Sequence, residues 1–150
     1  MKKLYIVRHA LKELEQLDQD DYDRALSQSG IDDAKLMAQR LAAKGIKADL
    51  IVSSPAKRTN YDKSIMYNEV LYMAYVNELI ETITYTFDTV DTMILIAHNP
   101  SLTALAITLV GLKEKIAMGG IVEVEFNCDS WIDISKENAK LISYDYPNKK

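Results

Sequence analysis

At 150 residues, with 48% hydrophobic and 27% charged side chains, the chain can bury the core of one domain spanning residues 1–150. A net charge of −4 excludes the broad basic surface of a sequence-independent nucleic-acid binder, so an anion site here must gather its positive charge on a few residues. The single cysteine, Cys128, excludes an internal disulfide and reads as a small hydrophobe, and no run approaches the ~18 apolar residues of a membrane span.

The elements alternate along the chain. "KLYIV" is a short β-rich run that reads as a buried strand, and it ends on Arg8 and His9. These two residues cut "MKKLYIV" short of a signal-peptide core, so a cytoplasmic protein with no membrane association is expected. Residues 10–28 are charged and aperiodic and read as a loop. "SGIDDAKLMAQRLAAKG" reads as a helix with Ile31, Ala34, Met37, Ala38 and Leu41 on one face, Ser29 as its N-cap and Gly45 as its stop. "ADLIVSS" at 48–54 is a second strand, and "IMY" at 65–67 a short third. A helical pattern runs from Glu69 to Phe87, with Tyr72, Val76, Leu79, Ile83 and Phe87 on one face. "TMILIA" at 92–97 is the strongest strand. "NPSLTALAITLVG" follows as a helix with Asn99 as N-cap, Pro100 in the first turn and Gly111 at the stop. The tail alternates in "GIVEVEFN" and again in "AKLISYDY", which can pair across a turn near Lys136 to Asn138.

This order implies an α/β fold, a three-layer α/β/α sandwich. Its central sheet is mostly parallel, with an antiparallel C-terminal strand or hairpin. In such sheets ligands bind beyond the carboxyl ends of the strands. Three strand ends here are polar: Arg8 and His9 after the first, "SSPAKR" with Arg58 after the second, His98 and Asn99 after the fourth. The helix starting at Asn99–Pro100 adds unpaired N–H groups and a positive dipole end beside His98. Arginine presents a planar fork that suits phosphate oxygens. The set therefore reads as a phosphate pocket built without a glycine-rich loop, since neither nucleotide-binding glycine motif occurs. Each feature alone has a plain alternative, such as a structural strand-end histidine, a solvated arginine or a capped turn. Their coincidence on one edge favours a shared site. A metal centre is the competitor, but the chain has no H-x-H or H-E-x-x-H spacing and the flanking arginines would repel a cation. A receiver domain needs an acidic pair after its first strand, where "VRHA" stands instead.

"YIVRHA", "SSPAKR" and "AHNP", in that order, resemble the histidine phosphatase superfamily, with Ala10 where the signature has glycine. "DYDRALSQSGIDDAKLMAQRL" and "VEVEFNCDSW" narrow the resemblance to the small SixA-like phosphohistidine phosphatases, and it covers nearly the whole chain. The resemblance implies a phosphoglycerate mutase-like fold and a hydrolase that needs no cofactor or metal. It implies His9 as the nucleophile, transiently phosphorylated. Arg8, Arg58 and His98 would bind the phosphoryl group and stabilise its transition state, with Arg24 nearby and Asn99 helping through its backbone or as a cap. A neutral imidazole is a competent nucleophile near pH 7, and fixed guanidinium groups meet the charge of the transferring phosphoryl group.

The leaving group narrows the substrate. Larger members of the superfamily supply an acid from the segment after "SSP"; here Met73, in "EVLYMA", aligns with it, and Glu69 or the more distant Glu78 are the remaining carboxylates. An imidazole leaving group needs less acid assistance than an alkoxide. The expected substrate is therefore phosphohistidine on a signalling or phosphotransfer protein. A small phosphorylated molecule, or phosphoprotein binding with weak catalysis, are the alternatives. The chain departs from the family after Arg58, where about a dozen residues and a helix are missing before the next strand.

Overall fold

The computed structural model describes residues 1–8, 39–53, 66–67, 75–97 and 99–147. Among the described residues six strands form one sheet: β1 (Lys2–Arg8), β2 (Leu50–Ser53), β3 (Met66–Tyr67), β4 (Thr92–Ala97), β5 (Ile121–Phe126) and β6 (Ala139–Asp145), in the spatial order β3-β2-β4-β1-β5-β6. Strands β3, β2, β4 and β1 run parallel to one another, while β5 runs antiparallel to both β1 and β6. The expected parallel sheet and C-terminal hairpin are both present. The hairpin connection is longer than a tight turn and carries a 3-10 turn at Trp131–Asp133.

The central position of β1 explains its composition. Leu4 and Ile6 enter one core with Leu79, Ile83, Leu102, Leu105, Phe126 and Trp131. Tyr5 and Val7 enter the opposite one with Ile96 and Ile121, against Leu41 and Ile46. A strand covered on both faces reads as a continuous apolar run, and successive side chains divide between two layers. Helices α1 (Val76–Thr84) and α2 (Ser101–Val110) cover the first face, and the helical residues 39–43 cover the second. That helix stops at Gly45 as its sequence predicts, while its earlier residues, with the Ser29 cap, lie outside those described. Arg40 ties it to the end of β6 through Asp145 Oδ1 at 2.8 Å and the carbonyl oxygens of Tyr146 and Pro147.

Helix α1 corrects one expectation. Leu79 and Ile83 are buried and Val76 packs beside them, but Phe87 is 82% exposed. The helix ends at Thr84, before Phe87 can join the face. Hydroxyls of Thr84 and Thr86 take the carbonyls of Glu81 and Thr82, and Val90 N–H closes a turn onto Phe87 O. Threonines that bond nearby carbonyls are poor helix-extending residues. Tyr72 lies outside the described residues.

Lys2, at the foot of β1, is only 1% exposed. Its ammonium donates to Asp88 O at 2.7 Å, Val90 O at 2.9 Å and Asp91 Oδ1 at 3.0 Å, and sits over the Trp131 ring. Three acceptors for three N–H donors satisfy a buried lysine completely.

Tyr5 makes stability depend on alkaline pH. Its side chain is 3% exposed. Burial, then the charge of Glu123 and a hydrogen bond to it, push its hydroxyl up to about 12 from 10.0. The folded state thus holds the proton after the unfolded chain has lost it. The contribution is complete below pH 10 and disappears as pH rises towards 12, at up to about 1.4 kcal/mol per pH unit. Denaturant melts of wild type and Tyr5→Phe should therefore converge in their pH dependence below 10. Between 10 and 12 wild type should fall more steeply, and parallel curves there would contradict this account.

Candidate functional site

The carboxyl ends of three strands lie level. Arg8 of β1 is in register with Ala97 of β4, and Ile96 of β4 with Ser53 of β2. The residues that follow in the chain are His9, His98 and "SPAKR". His9, His98, Arg58 and Arg24 lie outside the described residues, as does Glu69, so the geometry of the site rests on Arg8 and Asn99.

Arg8 projects to the same side of β1 as Lys2, Leu4 and Ile6, by the two-residue repeat of a strand. It is 5% exposed. Its Nη1 donates to the carbonyl oxygen of Ile116 at 2.6 Å. A charge-assisted bond of this kind fixes the plane of the guanidinium and offsets part of its burial. The backbone N–H of Arg8 continues the ladder to Gly120 O at 3.0 Å.

Asn99 opens the turn into α2. Its Oδ1 accepts from Thr103 N at 3.0 Å and from Thr103 Oγ1 at 2.8 Å, and its Nδ2 donates to Ile116 O at 3.2 Å. The expected cap shifts by one residue. Helix α2 starts at Ser101, Pro100 takes the N-cap backbone position, and the Asn99–Pro100 peptide bond is cis. Proline has no side-chain acceptor, so the Asn99 carboxamide reaches over it to satisfy a first-turn N–H. The helix directs its N-terminal dipole to the end where β4 finishes. Gly111 closes it in the left-handed conformation with φ 66°, as the sequence predicts.

The chain then returns from Leu112 to Gly120, and this segment completes the site from behind. Ile116 is fully buried by its side chain while its carbonyl receives both Arg8 and Asn99. Its N–H donates to Thr103 Oγ1 at 3.1 Å. The next N–H, of Ala117, donates to Tyr144 Oη at 2.8 Å, and Tyr144 Oη donates to Lys115 O at 3.3 Å. Burial, the largest influence, raises the Tyr144 hydroxyl above its ordinary value, partly opposed by the Ala117 N–H and by Arg8. The phenol therefore keeps its proton at neutral pH. Gly120 permits the close passage of this segment: a Cβ there would stand 2.7 Å from Ala117 O and 2.9 Å from Ile116 Cγ2.

The network joins the two strand ends that precede His9 and that carry Asn99. Sequence reading located Arg8 and Asn99. It did not find Ile116, whose part is played by a main-chain oxygen, nor Tyr144, which reads as an ordinary alternating strand residue. Thr103 left one trace, since Asn99 and Thr103 stand four apart on a helix start. Glu78, weighed as a distant acid, accepts the Tyr75 N–H at 3.0 Å through Oε1 and serves as the capping box of α1. Among the described residues no helix is long and apolar enough to cross a membrane.

Comparison with known proteins adds the following. A model of the histidine phosphatase superfamily (branch 1) matches residues 4–65. The uncharacterized protein Rv1276c of Mycobacterium tuberculosis (strain ATCC 25618 / H37Rv) is 30% identical over 145 residues, covering 85% of this chain and 91% of that protein. The uncharacterized protein ML1117 of Mycobacterium leprae (strain TN) is 24% identical over 144 residues, covering 85% and 89%. Among solved structures, SixA from Nakamurella multipartitia superposes with a TM-score of 0.84 at 22% identity, over 99% of this chain and 97% of that one. The protein histidine phosphatase SixA complexed with tungstate superposes with a TM-score of 0.75 at 18% identity, over 97% of each chain. At these identities the structures establish a shared fold.

Proposed function

Because the chain belongs to the histidine phosphatase superfamily, we propose that it hydrolyses phosphohistidine on a signalling or phosphotransfer protein in the cytoplasm, through a phosphohistidine intermediate on His9. The observation that carries the reading is the register of Arg8 with Ala97. Adjacent strands run about 4.8 Å apart. That pairing sets the ends of β1 and β4 side by side, and His9 and His98 are the next residues in the sequence, which supports a shared site beside the buried Arg8 guanidinium.

In the first step a neutral His9 nitrogen forms a bond to phosphorus as the P–N bond to the substrate imidazole breaks, and that imidazole, already protonated on its other ring nitrogen, departs as the neutral ring. Water then attacks phosphorus, the bond to His9 breaks, and inorganic phosphate leaves. Arg8, Arg58 and His98 stabilise the charge on the equatorial oxygens in both steps, with Arg24 and Asn99 in support. The arginine guanidinium groups take the part that Mg²⁺ plays in many phosphoryl transfers, which is why no metal or cofactor enters the proposal. Met73 at the position aligned with the family acid supports an imidazole leaving group over an alkoxide.

Initial rates on a phosphohistidine-bearing phosphotransfer protein, free phosphohistidine, phosphoserine and a sugar phosphate test the proposal. We expect the phosphohistidine substrates to be preferred at least about tenfold in kcat/KM, a difference of about 1.4 kcal/mol in barrier. Equal rates across the panel would replace the proposal with a broad phosphomonoesterase.

A further inference from the structure

We propose that the hydroxyls of Thr103 and Tyr144 are positioning groups that aim Arg8 at the phosphoryl group through the return segment 115–117. The inference rests on the reading of Arg8 as a phosphate-binding residue.

Two consecutive peptide groups are gripped at both ends. In the first, Lys115 O accepts from Tyr144 Oη at 3.3 Å and Ile116 N donates to Thr103 Oγ1 at 3.1 Å. In the second, Ile116 O accepts from Arg8 Nη1 at 2.6 Å and from Asn99 Nδ2 at 3.2 Å, while Ala117 N donates to Tyr144 Oη at 2.8 Å. Each hydroxyl both donates and accepts. Thr103 Oγ1 passes its hydrogen to Asn99 Oδ1 at 2.8 Å and takes the Ile116 N–H. Tyr144 Oη passes its hydrogen to Lys115 O and takes the Ala117 N–H. A hydroxyl has one hydrogen, so this pattern leaves each a single orientation. Rotation of either peptide would break bonds at both of its ends. The Ile116 carbonyl therefore has one direction, and Arg8 Nη1 follows it.

The arrangement has a functional logic beyond stability. Thr103 lies on α2, Tyr144 on β6 and Arg8 on β1, so three separate elements agree on one carbonyl. A guanidinium on a long flexible side chain needs such a stop if it is to meet charge that develops in the transition state.

The test uses Thr103→Val, which is nearly isosteric, and Tyr144→Phe, with Thr103→Ser as the conservative control. Steady-state kinetics, orthovanadate inhibition and thermal melts are measured on the whole chain. The positioning role predicts that kcat falls about 10- to 100-fold in Thr103→Val and Tyr144→Phe. KM should change less than threefold, orthovanadate should inhibit more weakly, and Thr103→Ser should retain wild-type values. Two results would overturn the proposal while leaving the phosphatase reading intact. One is wild-type kcat and vanadate inhibition in both variants. The other is a loss that disappears when they are assayed far below their melting temperatures, which would make the hydroxyls stabilising only. Wild-type protein with neither turnover nor vanadate binding would overturn the phosphatase reading and this inference with it.

Discussion

His9→Ala should abolish turnover. A loss of at least about 10³-fold in kcat is expected, because a nucleophile lost from a two-step displacement leaves only the binding and electrostatic contributions of the surrounding groups. Phosphate release on the preferred substrate measures the loss. A second readout is qualitative: wild type quenched during turnover should carry an acid-labile phosphoryl group, and His9→Ala should carry none. The two readouts guard against a misassigned role. If His9 were an acid catalyst, its removal would slow the reaction yet leave the phosphoryl-enzyme detectable. Turnover by His9→Ala at a rate near wild type would remove the covalent mechanism altogether.

Arg8→Ala should show a double loss, in activity and in stability. Removing a cation that meets transition-state charge costs about 10²- to 10³-fold in kcat. The same change deletes the bond to Ile116 O and empties a buried volume behind the sheet edge. A hydrogen bond to a charged group is worth about 1.5–3 kcal/mol, so chemical denaturation should show a deficit of about that size. Asn99 Nδ2 still reaches Ile116 O, which keeps the carbonyl from being stranded and caps the damage. Arg8→Lys separates the two effects. The ammonium restores charge but has no planar fork to share between a carbonyl and a phosphoryl oxygen. It should recover part of the stability and little of the activity. A lysine variant with wild-type kcat would show that charge alone suffices.

The parts of this protein that were legible in advance are those in which one side chain reports one environment. Strand β4 occupies 92–97 as its apolar run foretells, because a strand buried on both faces has no reason to interrupt that run. Gly111 stops α2 because the left-handed residue that ends a helix so often lacks a side chain. Phe87 misled because helical spacing is a statement about neighbours three and four residues away, and Thr84 and Thr86 had already turned the backbone elsewhere. At the site, Arg8 and Asn99 could be picked out as polar residues following apolar runs. The partner they share could not. Ile116 is an apolar letter whose contribution comes from its oxygen, and a sequence writes every main-chain carbonyl alike. Tyr144 and Thr103 matter because β6 and α2 converge on the peptide groups that carry and flank that oxygen, a fact of topology absent from local pattern.

Strand β1 carries a buried cation at each end, Lys2 below and Arg8 above, both on the same side and both seated on carbonyl oxygens. A slip of one residue along its neighbours would already be rejected, since it would exchange the two apolar faces. A slip of two residues preserves those faces and is the error that hydrophobic patterning cannot detect. Here it would carry both cations about 6.6 Å along the sheet, pulling each off its carbonyl acceptors and drawing one of them towards the apolar middle of the strand's neighbours. The strand therefore works as a gauge with a stop at either end, and Arg8, its upper stop, is held at one height along the sheet.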